Sequence, residues 1–242
     1  MTRRSNSLGA PVAARRLSFR EVARDLNSPH VRRELRTDWS MVLLYRAPGV
    51  AAAWLCLRAG MGPIGATLLG FALALSMPAQ AGWLPLGLAV WTVALTGALF
   101  QVLDCADGTM ARLTGRVSVR GADLDFLTGM AQWILLYVAI GLLADRTMGG
   151  GWGWTALAGI GAAARMLARL VRDQVGARVP PSAPGPVTAR QSPAVLLAGV
   201  SGLIPFLALT GPWLGWAVMF LLIYGLLDCA EGALPLLRRG YG

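Results

Sequence analysis

The sequence predicts an all-α membrane protein, with six transmembrane helices preceded by an N-terminal amphipathic interfacial helix. Three observations carry that prediction. Hydrophobic residues make up 55% of the 242, charged residues only 14%, and the mean hydropathy is +0.56. That is too apolar for an ordinary soluble domain. The apolar residues gather into runs that approach the roughly 20 residues needed to cross a bilayer core. The basic residues, 22 arginines and no lysine, lie beside these runs and give a net charge of +10. That placement suits anionic lipid headgroups and membrane orientation better than nucleic acid.

Residues 1–40 read as an Arg-rich cytoplasmic arm, and residues 41–242 as a single membrane-embedded domain. The arm has no apolar core of a secretory signal, so the spans themselves are expected to direct insertion. Residues 1–18 are expected to be disordered. Residues 18–39 suit a short amphipathic helix, with Ser18 and Glu21 spaced as a capping box. Arg32, Arg33 and Arg36 would face the phosphate layer, with His30 a solvated side chain beside them. Residues 41–58 are apolar but hold Arg46, Pro48 and Arg58, the pattern of a helix lying in the interface with snorkelling arginines.

Spans follow at about 64–77, 83–103 (continuing helically through Arg112), 121–143, 152–171, 194–209 and 213–227 (continuing to Leu237). Residues 178–192 are proline-rich and read as a loop. Cys56, Cys105 and Cys229 have no CxxC spacing or histidine partner and read as small buried residues. With the N terminus inside, the arm and residues 112–120, 165–190 and 238–239 place their arginines on the cytoplasmic side, leaving only Arg146 outside. The expected location is the cell inner membrane, multi-pass, surrounded by lipid, with the N terminus and the site described next both cytoplasmic.

The costly residues of an apolar chain are its carboxylates. Asp104, Asp107, Asp123 and Asp125 fall within residues 103–129. Asp104 and Asp107 share a helix face. Gly108 and Ala111 keep that face small, Arg112 follows, and Gly121 precedes Asp125 by one turn. Carboxylates from two helices supply the oxygen ligands that Mg²⁺ or Mn²⁺ prefers, with positions left for phosphate oxygens. Asp123 points to nearly the opposite side from Asp125, which suits a solvated or helix-N-terminal role. A second stretch, residues 227–232, echoes the first: Asp228, Glu231 and Gly232 repeat its spacing. It is either a solvated helix end or a second acidic pair facing the same pocket. Arg165, Arg169 and Arg172 form a stripe that could hold a substrate phosphate or lipid headgroup, or be plainly solvated. Trp133, Trp154, Trp213 and Trp216 either line an apolar cavity or serve as packing and interface anchors.

The segment resembles the signature of the CDP-alcohol phosphotransferase (CDP-alcohol phosphatidyltransferase) family, D-x2-D-G-x2-A-R-x8-G-x3-D-x3-D. Asp104, Asp107, Gly108, Ala111, Arg112, Gly121 and Asp125 match at the required spacing. The layout of an interfacial helix and six spans is also similar, and Arg46 to Pro48 and Gly62-Pro63 through Thr67 echo the family's N-terminal pattern. The resemblance implies a Mg²⁺-dependent transferase of phospholipid biosynthesis, working as a homodimer. It would break the pyrophosphate of a CDP-alcohol, with Asp104, Asp107 and Asp125 as metal ligands and Gly108, Ala111, Arg112 and Gly121 toward the substrate. The family's fourth aspartate, metal ligand and proposed general base, is Gly129 here. Asp228 and Glu231 are candidates for the missing ligand or base. Two alternatives stay open: a prenyl diphosphate-ionising cyclase or prenyltransferase that needs no such base, and a non-catalytic protein that keeps the fold.

Overall fold

The computed structural model describes residues 17–36, 38–178 and 199–238. The expectations for residues 1–16, for most of the proline-rich stretch, for the start of the fifth span and for Arg239 lie outside the described residues. We number the helices α1 Phe19–Ala23, α2 Pro29–Glu34, α3 Trp39–Arg58, α4 Pro63–Trp83, α5 Leu86–Thr114, α6 Val119–Met148, α7 Gly153–Arg178, α8 Gly199–Trp213 and α9 Leu214–Arg238. The described residues hold no strand. Five stretches are long and apolar enough to cross a membrane: α3, α4, α5, α6 and Gly199–Ala233, which joins α8 to most of α9. The architecture is all-α, with the helix lengths and apolarity of a membrane protein. In α7, Arg165 and Arg169 interrupt an otherwise apolar run.

Two local readings change. Residues 18–39 are not one helix. The capping box forms at Ser18 and Glu21, but a 3-10 turn follows over Arg24–Asn27 and Ser28 is extended. Pro29 disfavours helical geometry at the residue before it, so the chain restarts there as α2, with the Ser28 side chain accepting from Val31 N–H. Residues 41–58 lie within the continuous helix α3. Arg46 does not snorkel: it is buried, and its Nε donates to Glu34 at 2.8 Å. A π-turn over Val42–Arg46 widens α3 there, and Tyr45 and Arg46 are both buried.

Helix α6 is the central post. It packs against α4, α5, α7, α8 and α9, and its Leu136, Tyr137, Ile140 and Leu143 are fully buried in the main core. Small residues set the close approaches. A Cβ on Gly225 of α9 would run into the Gly161 carbonyl of α7, and one on Gly49 of α3 would lie 2.6 Å from Cys105 Cβ on α5. Polar stitches add to this. Tyr45 Oη donates to Gly202 O at 2.6 Å and Gly202 N to Ser40 Oγ at 2.9 Å, tying α3 to α8. Asp145 at the end of α6 accepts from Trp154 N at 2.9 Å and Thr155 N at 3.0 Å, capping α7.

Candidate functional site: an acidic cavity at the α5–α6 hairpin

Helix α5 continues without a break through the aspartate motif to Thr114. Gly115 ends it in the left-handed region at φ 66°, a conformation that favours glycine. Ser118 then caps α6, accepting from Gly121 N at 3.1 Å. The tight turn sets the last turns of α5 beside the first turns of α6, and the sequence motif falls on both sides of it.

A cavity of about 420 Å³ opens there. Asp107 and Asp125 line it, with Gly108, Ala111 and Gly121 as its small-residue wall and Arg112 and Arg116 also bordering it. Helix α4 contributes Thr67, whose hydroxyl donates to Asp107 Oδ2. Asp104 is not on the cavity wall; it is half-buried, and its carboxyl group lies close enough to that of Asp125 for the two to interact. Two ionised carboxylates do not rest in contact unaided: a shared proton or a cation has to lie between them. The donors are all oxygen and come from two helices, which fits a hard divalent cation by type. As arranged, no three His, Cys, Asp or Glu side chains among the described residues surround one point. Asp107 would have to turn from Thr67 to join the other two.

Of the arginine stripe, Arg169 lies over the Phe126 ring at 5.4 Å, near enough for its charge to act on Asp104 and Asp125. Arg165 sits one turn further into the bundle, its guanidinium 4.5 Å from the Trp133 ring and 4.9 Å from that of Tyr224. Its Nη1 has no hydrogen-bond partner among the described residues. Arg172 pairs with Asp228 across α7 and α9. Asp228 is thus engaged by an arginine, and Glu231 one turn on is exposed; neither lines the cavity described above. Trp213 and Trp216 point outward, 65% and 69% exposed, as interface anchors do and cavity walls do not. Asp123 is exposed on the far side of α6.

Sequence reasoning missed one acidic residue. Asp25, between α1 and α2, accepts from Arg112 Nη2 at 2.8 Å and from Thr109 Oγ1 at 3.0 Å. Burial raises its pKa, but the guanidinium and hydroxyl outweigh that and hold the carboxyl below its ordinary range. Its one sequence signal was being an acid in an arginine-rich arm. Gly129, one turn after Asp125, has nothing within 4 Å of where a Cβ would stand. Compared with known proteins, the chain matches no protein-family model and no curated protein.

Proposed function

We propose that the chain is a multi-pass inner-membrane enzyme of the CDP-alcohol phosphotransferase type. It would cleave a pyrophosphate-linked substrate at the cytoplasmic face with Mg²⁺ or Mn²⁺. The observation that carries this reading is the acidic cavity itself: Asp107 and Asp125 face one space, Asp104 backs Asp125, and glycines and arginines border the opening. A bound divalent ion supplies charge neutralisation and Lewis acidity at the diphosphate. The chain's own part is to hold the carboxylates on two rigid helices and leave room beside Gly108 and Gly121. Arg112 and Arg116 meet the phosphate charge. Arg169 adds a positive charge behind the aspartates, and Arg165 lies a turn deeper. The arginine asymmetry of the sequence supports a cytoplasmic N terminus and site, with six spans and a homodimeric assembly carried by the family resemblance.

With glycine at 129, the acceptor's proton needs another base. Asp228 and Glu231 remain the sequence's candidates, and of the two Glu231 is the more open. A reaction that only ionises a prenyl diphosphate would need no base at all, and Gly129 favours that second reading. Arg165 weighs against it. A guanidinium already stands against one face of each of the Trp133 and Tyr224 rings, and both rings are buried, so neither is presented to a carbocation.

The test offers purified chain CDP-alcohols and, separately, prenyl diphosphates, with and without Mg²⁺. Metal-dependent CMP release supports phosphotransfer, and pyrophosphate release with a hydrocarbon or terpene alcohol supports the second reading. Neither, in protein that binds the metal, leaves a non-catalytic membrane protein. Glu231→Gln separately asks whether that carboxylate takes the proton: an unchanged rate removes it from the reaction.

A further inference from the structure

The N-terminal segment before α3 is more than an anchor. Its apolar side chains pack on the back of the motif helix: Val22 is fully buried in a cluster with Ala106 and Met110 of α5, and Leu17, Ala23 and Leu26 pack against that cluster. Phe19 meets Trp54 of α3 edge to face at 5.8 Å. Two carboxylates then grip two arginines on different long helices. Glu34 holds Arg46 of α3, and Asp25 holds Arg112 of α5. The Asp25 side chain is only 8% exposed, too buried for a solvated surface charge, and its partners are both motif-helix residues.

Arg112 is the one of these partners that borders the acidic cavity. It is a long side chain on the rim, with about a third of its surface exposed and two cavity carboxylates, Asp107 and Asp125, as rival partners. Left alone, such a guanidinium would sample several rotamers or collapse onto those acids. Asp25 takes its Nη2 at 2.8 Å and, together with Thr109, holds it on its own side of the helix.

We propose that Asp25 is a positioning residue: the N-terminal strap carries it onto the motif helix, where it holds the Arg112 guanidinium at the cavity rim, ready for the anionic oxygens of a diphosphate. This deepens the reading that the cavity takes a pyrophosphate-linked substrate and rests on it. Arg112 keeps its remaining N–H donors for the ligand, because a guanidinium has five and Asp25 takes the Nε–Nη2 edge, leaving Nη1 beside Gly108 on the cavity wall.

The experiment uses the full chain in lipid nanodiscs and follows melting temperature against Mg²⁺ alone and against Mg²⁺ with inorganic pyrophosphate. Asp25→Asn is expected to weaken the pyrophosphate response by roughly tenfold, the scale of one charge-assisted hydrogen bond, while the response to Mg²⁺ alone is kept. Asp25→Glu restores most of it. Arg112→Ala resembles Asp25→Asn, and the double variant is no worse than either, because the two side chains act as one unit. Should Asp25→Asn fail to fold, Thr109→Val carries the test, with a smaller weakening of roughly threefold. Equal pyrophosphate affinity in wild type and folded Asp25→Asn overturns the proposal, as does a double variant whose losses simply add. A wild type that ignores pyrophosphate but binds Mg²⁺ instead overturns the diphosphate reading beneath it.

Discussion

Gly129 is the residue at which the chain departs from the signature it otherwise follows, and packing does not force the departure. With nothing within 4 Å of a Cβ there, Gly129→Asp is expected to be accepted with a melting temperature near that of wild type, since an interior helical glycine is itself unfavourable by up to about 1 kcal/mol. The added carboxylate stands one turn from Asp125, so tighter Mn²⁺ binding and faster CMP release are expected. A large drop in melting temperature would show that the space is not open. Asp25 gives a second residue-scale expectation. Its folded-state pKa lies below the unfolded value, so its stabilisation is complete above about pH 4 and is lost as pH falls through the folded value. Melting temperature against pH should therefore decline more steeply on the acid side in wild type than in Asp25→Asn; superimposable acid limbs would contradict the pairing.

At the scale of elements, the close contact of α7 with α9 is the most exposed to test. Gly225→Val would drive a branched side chain into the Gly161 carbonyl. The expected cost is about 1–3 kcal/mol or more, read as a lower melting temperature in detergent; an unchanged value would mean that the two helices do not cross at these glycines. The same scale separates what was legible in the sequence from what was not. Asp104, Asp107, Gly108, Ala111 and Arg112 sit at turn spacing on one helix, and Gly121 and Asp125 open the next. Helical periodicity displays such a set in the sequence itself. Thr67 and Asp25 reach the site from 40 and 84–87 residues away, and no local period announces a contact made by tertiary packing. Arg46 misled for a related reason. An arginine in an apolar run reads as snorkelling, and only the fold brings Glu34 to it. The N-terminal helix broke at Ser28 because Pro29 outweighed the amphipathic pattern around it.

Over the whole molecule, α6 ties the parts together: its first turns carry Asp125, its middle builds the core, and its end caps α7. The N-terminal strap closes on the same end of the bundle as the aspartates, so the acidic cavity, its bordering arginines and the strap form one unit. Arg165 separates the chemistries at this scale. If the enzyme transfers a phosphoalcohol, Arg165→Met should weaken turnover of a CDP-alcohol; if it generates a carbocation, uncovering Trp133 and Tyr224 should raise the yield of cyclised or eliminated prenyl product. The central claim is simpler than either outcome: Asp104, Asp107 and Asp125 together bind a divalent cation. Its most direct test is a titration of the purified full chain with Mn²⁺, followed by electron paramagnetic resonance, in wild type and Asp104→Ala. The account predicts saturable Mn²⁺ binding that Mg²⁺ competes away, and in Asp104→Ala a loss larger than the roughly 10–100-fold that removal of an outer-shell partner costs. Equal Mn²⁺ affinity in the two proteins would contradict it.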